Sequence, residues 1–292
     1  MTIAKNFVAP ALPLPEVEYS QPYQTDHIRA LRLYFNLLDN FLNTLTNEVN
    51  NMQEPYDLQV AKGLVPGTTA LFKFGFNVDI DQTEETVWDA GGIYTYPASA
   101  LAMTIVSSNA NDTSAGTGAR TVRVVGLDAN YAEVTQTVSL NGTTPVSIPT
   151  SLIRVYRAFV VTAGSGNTAA GTITIANGGT TYAQITVGEN QTLMATYTVP
   201  AGVTLYLTSA NISTGSASGT QYIVSRLIQR PFGGVFRDVS KVSLQSGQVS
   251  FDGFAAPLVF PAKTDIEIRA IGSSNNNEVS GVFSGYLVQD GF

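Results

Sequence analysis

The clearest pattern in the chain is a run of apolar positions at helical spacing. Ile28, Leu31, Phe35, Leu38, Leu42, Leu45, Val49 and Met52 follow one another in alternating steps of three and four, the a/d seam of a coiled coil held over about four heptads. Thr25 or Asp26 suits the N-cap and Pro55 stops the pattern beyond Met52, so the spacing predicts a helix over 24–54. Tyr34 and Phe41 fall at g positions, no Asn sits at an a position, and the a residues mix β-branched side chains with Phe and Leu. Three strands or a small bundle suit this better than two. The plainer alternative is an amphipathic helix packed on its own chain, which the off-seam Leu33 and Leu37 favour.

Ahead of the helix, residues 1–23 set Pro10, Pro13, Pro15 and Pro22 among Phe7, Val8, Leu12, Leu14 and Tyr19. That spacing blocks helix and predicts an extended arm, whose apolar side chains suit docking on a neighbouring subunit or particle protein better than free solution. Residues 55–69, with Pro55, Gly63, Pro66 and Gly67, read as a linker.

Beyond residue 69 the period changes to two. Strands are predicted at 70–80, 102–107, 120–126, 132–140, 153–162, 171–176, 181–187, 192–199, 203–213, 220–230, 235–244, 247–253, 264–271 and 279–288. Thr121-Val122-Arg123-Val124 and Asp265-Ile266-Glu267-Ile268-Arg269 alternate as strands with one wet face. Asn141-Gly142, Asn177-Gly178-Gly179 and Ser246-Gly247 supply turns. The chain therefore reads as mainly β: an extended arm and a coiled-coil-like α-helix, then antiparallel β-sandwich modules at 70–188 and 189–292, the second jelly-roll-like.

Composition removes several classes of function. With 13% charged residues and a net charge of -7, the chain lacks the clustered Lys and Arg that phosphate neutralisation needs, so no nucleic-acid partner is expected. It has no cysteine, hence no disulfide, thiol nucleophile or thiolate metal site. No stretch approaches 18 apolar residues and the N-terminus lacks a signal-peptide pattern, so the expectation is synthesis in a cytoplasm without membrane insertion. GxSxG, P-loop, dinucleotide GxGxxG and HExxH patterns are all missing, and no cofactor or catalytic residue is expected. The single histidine, His27, belongs to the helix surface.

One segment keeps a chemical reading open. Asp79, Asp81, Glu84, Glu85 and Asp89 crowd beside Trp88, Tyr94 and Tyr96. Glu84 and Glu85 suit a glycosidase pair, Asp79, Asp81 and Glu85 a calcium site, and Trp88, Tyr94 and Tyr96 a glycan-stacking face. Against these stands an acidic hairpin with its carboxylates in water and Val78, Ile80, Val87 and Trp88 turned inward. Arg226, Arg230 and Arg237 flank a Pro231-Phe232-Gly233-Gly234 turn, either as solvated strand ends or with Arg230 paired to a carboxylate of an adjacent subunit.

The run Ser107 to Arg123, with Gly126-Leu127-Asp128-Ala129-Asn130-Tyr131, Leu140-Asn141-Gly142, Glu189-Asn190-Gln191-Thr192, Arg230-Pro231-Phe232-Gly233-Gly234 and Phe260-Pro261-Ala262-Lys263-Thr264-Asp265, resembles virion proteins of environmental tailed phages of cyanophage and marine type. The resemblance covers roughly residues 95 to 288. It implies a particle-associated structural protein located in the virion, with no catalytic residues to carry across. Head decoration, a head fibre or knob, and a tail fibre or tail accessory all fit it. The helix adds the expectation of a homotrimer anchored to other virion proteins by its N-terminal arm. The competing expectation is a receptor-recognition protein that holds host surface glycans.

Overall fold

The computed structural model describes residues 21–215 and 221–291, without the side chains of 21–23 and 50–53. Phe7, Val8, Leu12, Leu14 and Tyr19 of the predicted arm, and the Met52 side chain, lie outside the described residues. The chain divides between Val65 and Pro66 into two units.

The first unit holds α1 (Gln21–Gln53) and α2 (Tyr56–Ala61). Helix α1 starts before Thr25 and takes in the last three residues assigned to the arm. Pro22 permits this because a first-turn N–H has no partner in a helix anyway, and the ring pre-sets φ. Thr44 and Thr46, poor helix formers, bond back to the carbonyls of Asn40 and Leu42 at 2.9 and 2.8 Å. The linker expected at 55–69 contains α2. There Pro55 opens a helix rather than only ending one, its carbonyl accepting from the backbone N–H groups of Leu58 and Gln59.

The second unit is built of strands: β1 (Thr68–Ile80), β2 (Glu85–Thr86), β3 (Thr104–Ser107), β4 (Ala119–Leu127), β5 (Glu133–Ser139), β6 (Val146–Ser147), β7 (Arg154–Ala163), β8 (Ile173–Asn177) and β9 (Thr180–Ile185). There follow β10 (Thr196–Thr198), β11 (Val203–Thr214), β12 (Tyr222–Arg230), β13 (Arg237–Gln245), β14 (Val249–Phe260), β15 (Asp265–Gly272) and β16 (Asn277–Gln289). They form four sheets, ordered β1-β16-β11-β14, β10-β15-β12-β13 with β2 beside β15, β6-β3-β8-β9, and β5-β4-β7. The pairings are antiparallel. A mainly β chain with an N-terminal helix and antiparallel sheets is thus what the period change at residue 69 announces.

The first two sheets share one core. Leu205, Leu207, Ala210, Ile212 and Phe283 from one meet Ile223, Leu227, Ile266, Ile268 and Ala270 from the other. The remaining two sheets share a second, with Ile105, Ile173, Ile175 and Ile185 against Val122, Val124, Val138 and Val155. Strand pairing therefore divides the chain differently from modules at 70–188 and 189–292. Strand β1 belongs with the C-terminal strands, in register with β16 from Thr68↔Val288 to Phe76↔Ser280, and β3 to β9 form a continuous insertion. Alternation shows that a strand has two unlike faces but not which distant strand it pairs with.

Where β1 passes the segments that follow β2 and lead into β10 there is room for backbone only. A Cβ on Gly75 would stand 2.2 Å from the Ala195 nitrogen and 2.3 Å from the Val87 oxygen. In the inserted part the loops around residue 112 are tied by one buried carboxylate. Asp112 accepts from Ser107 Oγ at 2.5 Å, Ala119 N at 2.7 Å, and the nitrogens of Ala170 and Gly171 at 2.9 Å. Replacing Asp112 by Ala strands these donors in a buried place, and the expected loss in urea unfolding is about 3 kcal/mol.

Candidate functional site

The acidic-aromatic segment after β1 turns inward. The Trp88 indole N–H donates to the carbonyls of Gly91 and Gly92 at 2.8 and 3.0 Å, and the Tyr94 hydroxyl to the Val155 carbonyl at 3.1 Å. Both side chains are core residues. With half-buried Tyr96 they form an edge-to-face ladder, ring centroids 5.3 and 4.8 Å apart, that continues to Phe236 at 5.5 Å. Buried rings with occupied polar ends offer no stacking face to a sugar, so Trp88, Tyr94 and Tyr96 do not form the glycan platform their spacing suggested.

The carboxylates are likewise committed. Glu85 accepts from the backbone N–H of Asp81 and of Gly92, and Asp81 from that of Asn276. Glu84 pairs with Arg226 and Arg269. Among the described residues no three carboxylate or imidazole groups, Asp79, Asp81 and Glu85 included, are placed to share a metal ion. Asp89 lines a cavity of about 350 Å³ with Phe76, Asp79, Gln184 and Glu189. Burial raises its pKa to about 7, against the hydrogen bond from Thr186.

The densest chemistry lies on the face of the β10-β15-β12-β13 sheet that points away from its core. Asp265, Glu267 and Arg269 alternate there with core-facing Ile266 and Ile268, as the sequence predicts, but the face is dry: Asp265 and Glu267 are buried. The segment from β2 to Pro97 and the start of β7 cover it. Asp265 receives Arg154 Nε at 2.8 Å and Nη2 at 3.1 Å, Arg230 Nε at 3.0 Å and Nη2 at 2.5 Å, and the Thr198 hydroxyl at 2.6 Å. Arg230 thus finds its carboxylate within its own chain. Arg154 completes its set on the carbonyls of Pro97 and Ile153 at 2.9 and 2.7 Å.

The guanidinium groups of Arg154 and Arg230 lie 5.0 and 4.7 Å from the Tyr96 ring centroid, and the Tyr96 hydroxyl donates to Glu267 at 3.0 Å. Glu267 in turn pairs with Arg269, which reaches Glu84 and, through it, Arg226 and Asp238. Burial lifts the Glu267 carboxyl to about 7 even with Arg269 beside it. Eight charged residues, Arg154, Asp265, Arg230, Glu267, Arg269, Glu84, Arg226 and Asp238, are thus gathered with Tyr96 into one connected set.

Sequence reasoning missed Arg154 of this set and, outside it, Lys73. Arg154 sits between Ile153 and Val155, and a lone Arg in an apolar run was the available signal. Lys73, inside Phe72-Lys73-Phe74, reads as the polar side of β1, yet it is 7% exposed and donates to the Tyr156 carbonyl. Burial, with Arg157 nearby, lowers its pKa to about 7.

The heptad positions lie on α1. Ile28, Phe35, Leu42 and Val49 are roughly half exposed and Leu31, Leu38 and Leu45 are half-buried, while off-seam Leu33 and Leu37 are also exposed. No helix among the described residues is long and apolar enough to cross a membrane.

No family model matches the sequence, and no curated protein does. Among solved structures the chain is similar to that of the infectious bursal disease virus Gx strain, at 10% identity and TM-score 0.23, covering 77% of this chain and 73% of that one. It is also similar to the VP2 subviral particle of infectious bursal disease virus, at 11% identity and TM-score 0.24, covering 78% and 73%.

Two outcomes follow from the ionic face. Asp265→Ala leaves Arg154 buried without its carboxylate and should cost about 3–5 kcal/mol in chemical denaturation. Because the folded Glu267 pKa lies above its ordinary 4.5, its contribution to stability is complete below about pH 4.5 and lost as pH rises through about 7. Glu267→Gln should flatten the decline of stability across that window, leaving the share that belongs to Asp89.

Proposed function

We propose that this chain is a non-catalytic structural component of a virus particle, assembled as a homotrimer through α1 and carrying a jelly-roll β-domain. The observation that carries the trimer is the heptad seam, whose Ile28, Phe35, Leu42 and Val49 stand half exposed in the single chain. Burying a large apolar side chain contributes about 1.5–3 kcal/mol, so even partial burial of the seam exceeds what exposed ion pairs offer. The resemblance of residues 95–288 to tailed-phage virion proteins supports the particle role. Its sub-readings are a capsid decoration or head-fibre protein, anchored to other virion proteins by the N-terminal arm expected at residues 1–23.

The strand order supports the jelly roll. Taken in chain order, β1 and β10 to β16 run first, second and so on to eighth, and their sheets then read 1-8-3-6 and 2-7-4-5. Successive strands pass back and forth between two sheets over one core, as a double Greek key does. The insertion of β3 to β9 falls between the first and second of the eight.

Light scattering on the purified chain at micromolar concentration should return three chain masses. Leu38→Asp should move most of the protein to a single chain mass while the far-ultraviolet signal of the strands stays unchanged. A monomer mass for the unaltered chain removes the reading.

A further inference from the structure

The alternation of β1 is inverted relative to its hydrophobicity. Leu71, Lys73, Gly75 and Asn77 face the core, while Phe72, Phe74, Phe76 and Val78 face outward, Phe72 at 64% exposure. A strand whose inward set includes a lysine, a glycine and an asparagine, and whose outward set is phenylalanine and valine, has two faces to bury. The strand register continues the outward face across the sheet. Phe74 lies in a row with Val282, Asn211 and Phe251; Phe76 with Ser280, Ser213 and Val249; Ala70 with Tyr286, Tyr206 and Val259; and Phe72 with Ser284, Ser209 and Gly253.

None of these positions carries a charge. The apolar bulk sits at the two margins, Phe72, Phe74 and Phe76 on β1 and Val249, Phe251 and Val259 on β14, with Phe251 at 76% exposure. Hydroxyl and amide side chains lie between. Strand β14 is also an edge strand of twelve residues, and a long apolar edge left open is a pairing hazard that folded proteins cover.

We infer that this face is a contact between copies of the chain, the β1 margin of one copy packing against the β14 margin of the next. The inference rests on the proposed trimer and deepens it. An uncharged face with aromatic margins on both sides is complementary to itself and offers no ionic group to a charged partner. Its extent also fits. Four strands at about 4.8 Å spacing and ten residues at about 3.4 Å make a face of about 650 Å². Each margin-to-margin contact takes about half of that face from each partner, so it buries about 650 Å² counted on both, and the three contacts of a closed ring about 2,000 Å² in all, added to what the α1 seam buries. Margin-to-margin contact is heterologous, the kind that closes a ring of three.

Full-length chains with Phe72→Glu, Phe251→Glu or both are compared with Leu38→Asp by light scattering over a dilution series. Both phenylalanines are exposed in the single chain, so the replacements leave its fold intact, as circular dichroism checks. Either should raise the concentration of half-dissociation about 100-fold, as central interface residues do. Since the chain has no cysteine, the pair Phe72→Cys and Phe251→Cys supplies a direct test. Within one chain they are about 14 Å apart across the sheet, beyond the reach of a disulfide. Oxidation should link the doubly substituted chains covalently into threes and leave each single variant unlinked. Dissociation by the glutamates but not by Leu38→Asp would keep this contact and remove the helical seam as the source of the trimer. A trimer untouched by the glutamates and unlinked by the cysteine pair overturns the inference and leaves the seam reading standing. Dimers formed by either single cysteine overturn the margin-to-margin arrangement.

Discussion

Asp265 is the group on which the β-unit depends. It is buried on the outer side of a sheet, where a carboxylate has no business unless its charge is met, and it is met twice, by Arg154 from β7 and Arg230 from β12. Arg154 arrives from the inserted strands and Arg230 from the eight-strand set, so one carboxylate joins the two cores. Such a triad is weak evidence of net stability, because desolvating three charges consumes most of what their attraction returns. What it fixes is arrangement. An apolar contact between the two parts tolerates sliding, whereas a bidentate guanidinium fork fits its carboxylate in one register. Tyr96, with both guanidinium groups against its ring and its hydroxyl donating to Glu267, extends the same constraint along β15.

Much of the secondary structure was legible because it is set locally. The heptad run, the period-two segments and the Asn-Gly turns depend on neighbours a few positions away, and most strands fall close to where alternation places them, while β14 runs on to Phe260 where the expected strand ended at 253. Two short strands, β2 and β6, were missed, being two residues each and too short to show a period. The division into modules was misplaced because pairing of β1 with β16 depends on contacts across most of the chain, to which alternation is blind.

The candidate site was less legible than the fold for a related reason. Trp88, Tyr94 and Tyr96 among acidic residues look alike whether they line a surface groove or cap a core, since the sequence shows composition and not coverage. Asp265-Ile266-Glu267-Ile268-Arg269 read correctly as alternating, yet its polar side is dry, because the covering segment lies more than a hundred residues upstream. Lys73 and its phenylalanine neighbours carry the same lesson with the sides exchanged. The Ser107 to Arg123 run is held by the Asp112 carboxylate, which ties the 107–119 segment to the one at 170–171.

The long-range closure of β1 has a consequence for biosynthesis. Thr68 meets Val288, so the first strand of the sheet emerges from the ribosome long before the strand that flanks it, and β11 waits for the same partner on one side. Folding of such non-local pairs is slow, and incomplete chains expose unpaired edges. A chain cut short before β16 holds β1 and β11 without the strand that stands between them, and the sheet does not close. The sheet thus closes only on its latest-made strand, and until β16 is in place β1 and β11 lack the partner they share.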